Sequence, residues 1–147
     1  MPISQNVIFS GKAKPDKEFE HPAGASIARN LKSQLEKEGW IAGEIDNWRD
    51  YGWSLECSLS DARMQISLSQ MEEGKWMMQI SPASVPGFIG RIFGSIVSAQ
   101  PKDTTLLAKS VHKILGLDGF ADFKWIWDGF PDNPKSTSEP IEEKKAN

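Results

Sequence analysis

Five carboxylates crowd one stretch of this chain: Glu44, Asp46, Asp50, Glu56 and Asp61. Paired acids can run hydrolysis when an apolar pocket keeps one of them protonated, and acid-rich loops can hold a hard cation through oxygen ligands. The five show neither an acid in an apolar setting nor a calcium-loop spacing. Glu44 and Asp46 share the solvent-leaning parity of one strand-like run, and Glu56 lies on the polar parity of the next. The expectation is a solvated acidic face that would attract a basic partner.

The remaining reactive side chains give no constellation. His21 and His112 are the chain's two histidines, far apart and in no zinc or triad spacing. His21 reads as a loop residue at a helix start and His112 as a side chain on a helix flank. Cys57, the single cysteine, falls on the apolar parity of a strand, where burial raises the thiol pKa and suppresses reactivity. The glycines from Gly87 to Gly94 match neither the phosphate-loop nor the dinucleotide pattern. No catalytic residues, metal or cofactor are assigned, and the balance leans away from an enzyme.

Aromatic residues single out the same region as the acids. Trp40, Trp48 and Trp53, with Tyr51, lie within fourteen residues. Trp40 is expected to pack back on a preceding helix, and Trp53 begins the apolar parity of a strand. Trp48 shares parity with Glu44 and Asp46 instead, beside Arg49 and Asp50 at a turn where Asn47 and Gly52 would permit positive φ. It either closes the sheet end against Tyr51 or Trp53, or stands as an aromatic anchor in an acidic rim. The candidate partner-binding set is therefore Glu44, Asp46, Trp48, Arg49, Asp50 and Tyr51. A second candidate is the amphipathic run Phe88–Val97, carrying Phe88, Ile89, Ile92 and Phe93, which is either a flap over the core or an apolar docking surface.

Elements that would position these residues follow from periodicity. A short strand at Asn6–Ser10 is optional. Ile27, Leu31 and Leu35 recur at helical spacing, with Pro22 suited to the first turn and Gly39 to the stop. Alternation then marks four strands through Ile41/Gly43/Ile45, Trp53/Leu55/Cys57/Leu59, Met64/Ile66/Leu68 and Trp76/Met78/Ile80. After the Phe88–Val97 insert comes a firmer helix, capped by Asp103 or Thr104 and closed by Gly116, and a last strand bearing Phe123, Trp125 and Trp127. The expected fold is α+β: an antiparallel sheet of four meander strands plus a C-terminal strand, with two main helices on one face. Residues 1–20 form an N-terminal segment, 21–130 a single domain and 131–147 a disordered polar tail. The last strand is left unplaced, although a seat beside the first meander strand would let both helices cover one face.

At 147 residues with a net charge of −3, the chain can bury a real core and has no electrostatic drive towards phosphate backbones, so nucleic acid is not an expected partner. No apolar stretch is long enough for a membrane span or a signal peptide, and one cysteine fits a reducing compartment, so a cytoplasmic protein is expected. A small acidic α+β domain without a catalytic set resembles the bacterial immunity proteins, which neutralise a toxin by occluding its active site, or small secretion chaperones. That resemblance implies a non-catalytic binder of a protein partner, such as a basic toxin or effector, and assigns no residue. The alternative is a small-ligand binder or hydrolytic enzyme with a pocket between the sheet and the Phe88–Val97 flap, lined by Trp76, Trp125 or Trp127 and served by Glu56 or His112.

Overall fold

A computed structural model describes residues 4–17, 22–48, 52–60, 62–83, 100–130 and 135–142. The elements are β1 (Gln5–Ser10), α1 (Ala25–Lys37), β2 (Ile41–Trp48), β3 (Gly52–Leu59), β4 (Ala62–Glu72), β5 (Lys75–Pro82), α2 (Pro101–Leu117) and β6 (Ala121–Trp127). The strands form one antiparallel sheet in the order β2-β3-β4-β5-β1-β6. The expected α+β class and the meander are present. β6 lies at the far end from β2, against β1, and β1 sits inside the sheet between β5 and β6. A boundary at residue 20 therefore does not separate the N-terminal segment from the domain.

Strand alternation decides which face is covered. Val7, Phe9, Leu55, Cys57, Met64, Ile66, Leu68, Trp76, Met78, Ile80 and Trp125 point inward from the sheet. They meet Ile27, Leu31 and Leu35 of α1 and Leu107, Val111, Ile114 and Leu115 of α2 in one core. The opposite face carries the polar alternates Ser54, Glu56, Arg63, Gln65, Ser67 and Gln79, none of them buried.

Both helices stop in the same way. Trp40 N–H donates to Leu35 O (3.0 Å) and Gly39 N–H to Glu36 O (3.1 Å), with Gly39 at φ 98°. This is the Schellman pattern, and it turns Trp40 back into the core as expected. α2 repeats it through Gly119 and Phe120, whose N–H reaches Leu115 O at 3.0 Å. The stop is thus Gly119 rather than Gly116, because the left-handed residue must follow the last turn. At the other end of α2 the cap is Gln100, whose N–H donates to the Asp103 carboxylate (2.8 Å), so Asp103 completes the cap from inside the first turn. α1 begins at Ala25, with Pro22 in the turn before it. Its first amides are satisfied from a distance by Asp16, which accepts from Gly24 N–H (3.2 Å) and Ser26 N–H (2.9 Å).

The expected disordered tail does not hold for residues 135–142. Thr137 pairs with Trp125 on the outer edge of β6 (2.9 and 2.7 Å), and Ile141 exchanges hydrogen bonds with the buried Gln5 carboxamide. Trp127 Nε1–H donates to Glu142 O (3.0 Å). Backbone pairing to an open strand edge needs no apolar periodicity, so a polar composition can still be ordered there.

Candidate functional site

The residues of the acidic hairpin stand on β2 and β3, where one irregularity matters. Ile41 pairs with Ser58 and Ala42 with Cys57, but Ile45 pairs with Leu55, so Gly43 and Glu44 together oppose Glu56. This is a β-bulge, which Gly43 accommodates and which reverses the parity of everything before it. Ala42 and Ile45 both pack on the core. Ile41, expected on the same side as Ile45, is instead turned out and 74% exposed.

The result is an apolar side chain among acids. A hollow of about 290 Å³ is lined by Ile41, Gly43, Glu44, Asp46, Glu56 and Ser58, together with Cys57. Glu44 lies at the rim and meets Lys32 of α1 at 3.4 Å, and Glu56 accepts from Arg63 of β4 through Nε (3.1 Å) and Nη2. Asp46 has no ion-pair partner among the described residues. Each carboxylate keeps solvent contact, Glu44 over most of its side chain and Glu56 over about half, which leaves both pairs weak and available for exchange with another cation.

Of the remaining hairpin candidates, Trp48 pairs with Gly52 at the end of β2, while Arg49, Asp50 and Tyr51 lie outside the described residues, as do Asp61 and His21. Phe88, Ile89, Ile92 and Phe93 lie outside them too. Gly52 is not a positive-φ turn residue: a Cβ there would stand 1.9 Å from Leu68 O, so glycine is required by the close approach of β3 to β4.

Of the side chains expected to line a catalytic or ligand pocket, Trp125 and His112 meet each other, whereas Trp76 and Glu56 are placed elsewhere. Trp76 Nε1–H donates to Gly11 O (3.0 Å) and Trp53 Nε1–H to Pro22 O (2.8 Å), so both indoles pin the β1–α1 connection. Trp125 is fully buried and donates to His112 Nδ1 (3.1 Å), with His112 also edge-on to Phe123. This contact fixes the neutral tautomer carrying its proton on Nε2. Burial lowers the His112 pKa, against a smaller opposing pull from Glu139. Glu56 stands on the opposite face of the sheet. Cys57 is buried, and desolvation, with Glu56 adding to it, pushes its thiol up to about 12.

Among the described residues no three His, Cys, Asp or Glu side chains gather to hold a metal ion, and no helix is long and apolar enough to cross a membrane. Sequence reasoning missed Ile41 as a surface residue; Gly43 inside a strand was the available signal for a bulge. No protein-family model and no curated protein matches this chain, so its functional reading rests on the geometry of the sheet.

Proposed function

We propose that this chain is a non-catalytic protein-binding domain whose docking surface is the acidic outer face of the β2–β3 hairpin. The observation that carries the reading is the bulge at Gly43–Glu44, which turns Ile41 out among Glu44, Asp46 and Glu56. An exposed aliphatic anchor within a charged rim is the composition of an interface centre, where desolvating the anchor supplies affinity and the rim selects a partner of opposite charge. A basic protein fits this face. Occlusion of such a partner, as by a toxin-neutralising immunity protein, is the role the surface would serve, and the cytoplasm is its proposed location.

A photo-crosslinking residue placed at position 41 in cells tests the reading, with position 102 on the helix-covered side as control. A basic protein crosslinked from 41 and not from 102 is expected. Equal yields from both positions, or an acidic product, would refute it.

A further inference from the structure

At β6, the opposite end of the sheet from the β2–β3 hairpin, residues 135–142 return along the strand edge. Thr137 N–H donates to Trp125 O (2.9 Å) and Trp125 N–H to Thr137 O (2.7 Å). Further on, the Gln5 carboxamide takes both main-chain groups of Ile141, as a neighbouring strand would: it accepts from the N–H (2.5 Å) and donates to the carbonyl (3.3 Å). Thr105 Oγ1 of α2 donates to the same carbonyl (3.4 Å), and Trp127 Nε1–H to Glu142 O (3.0 Å). Lys109, also on α2, meets the Glu142 carboxylate at 2.6 Å.

Burial across this contact is one-sided. Gln5 and Trp125 are fully buried and Thr105 is nearly so, whereas none of residues 135–142 is buried. A segment folded as part of the core would bury side chains there; this one is held by its backbone and one carboxylate. That is the chemistry of a peptide added to a sheet edge, where main-chain bonds supply affinity and a few side-chain contacts supply selectivity. Pro140 prepares the segment by fixing its own φ and biasing Glu139 towards an extended conformation, which lowers the cost of ordering. Because the seat reads backbone groups, nothing in it restricts the occupant to this chain's own tail. Leaving it empty would strip the buried Gln5 carboxamide of both bonds, which favours exchange for another segment over simple opening.

We propose that the edge of β6 and the adjoining side of α2 form a peptide-binding groove for a partner protein, with residues 137–142 as its resident ligand. The partner segment is extended and carries the resident's chemistry, a proline followed by an aliphatic residue and an acid. Its main chain pairs with Trp125 and with the Gln5 carboxamide, and Lys109 selects the acid by charge. The tail is then a competitor in cis: it keeps the groove filled until such a segment displaces it. The groove lies apart from the acidic hairpin, so its test is independent of that face.

A fluorescent peptide of residues 135–142, titrated by anisotropy into the full-length parent and into full-length Thr137→Pro/Ile141→Pro, tests this. The two substitutions remove the amide donors to Trp125 O and Gln5 Oε1, which releases the tail and leaves the groove's own groups in place. For a tail closed roughly ten to one at an effective concentration of about 1 mM, the variant should bind the peptide with a dissociation constant on the order of 0.1 mM, and the parent about tenfold more weakly. A peptide with Glu142→Lys should bind the variant about threefold more weakly. A second measurement does not depend on how the variant folds: unlabelled peptide added to isotope-labelled parent should move the Thr137 and Ile141 amide resonances towards those of a free chain. Equal affinity for parent and variant, or parent amides unmoved up to about 5 mM peptide, would overturn the proposal. A parent chain that sediments as a tail-exchanged dimer at about 0.1 mM would give the groove to a second copy and overturn the partner assignment.

Discussion

Replacing His112 by Phe probes a contact between a buried indole and a titratable ring. Phe keeps the aromatic volume and the edge contact to Phe123 but removes the acceptor for Trp125 Nε1–H. Trp125 is fully buried, so its N–H would be left without water or protein to bond. An unsatisfied buried donor costs about 1–3 kcal/mol, and at roughly 2–4 °C per kcal/mol for a domain of this size the midpoint should fall by about 2–12 °C. The pH dependence is a second signature. Burial lowers the folded pKa of His112, so the unfolded chain takes the proton more readily. The contribution of this group to stability is therefore complete above the unfolded value of about 6.5 and is lost as pH falls below it. Urea denaturation at pH 7.5 and at pH 5 should show the parent losing stability between the two and His112→Phe losing less. A variant as stable as the parent at pH 7.5, or one with the parent's full pH dependence, would refute the assignment of Nδ1 as acceptor.

Three further outcomes are expected. Cys57, with its thiol pushed up to about 12, should resist alkylation in the native state at pH 8 and react rapidly in denaturant; fast native labelling would mean that the strand is not buried. Gly52→Ala brings a Cβ to within 1.9 Å of Leu68 O and should cost about 1–3 kcal/mol, with faster amide exchange along β3 and β4. A chain ending at residue 134 strips the Gln5 carboxamide of both Ile141 contacts and frees the edge of β6. Because the released residues regain conformational entropy, the net loss should be about 1–2 kcal/mol by urea denaturation, and no loss would remove residues 135–142 from the fold.

Much of the fold was legible because burial and period agree. The meander from β3 to β5 follows from Leu55, Cys57, Met64, Ile66, Leu68, Met78 and Ile80, all inward at period two. What escaped involves either two chain positions with the same local signal or polar groups whose partners are distant. Gly116 and Gly119 are both credible stops, yet the Gly39–Trp40 pairing that ends α1 has its counterpart in Gly119–Phe120. Gln5 and Asn6 hide the central strand β1, since neither is apolar although both are buried. The acids of the hairpin were visible as a group, but Ile41 was assigned inward because a bulge shifts parity without changing composition.

The most direct test of the docking face is the affinity of the crosslinked partner, purified, for the parent protein and for Asp46→Lys across a salt series. Asp46 is exposed and makes no ion pair among the described residues, so reversing its charge should leave the fold intact while weakening binding about tenfold at low salt and flattening the salt dependence. Equal affinity and equal salt dependence for the two proteins would contradict the account.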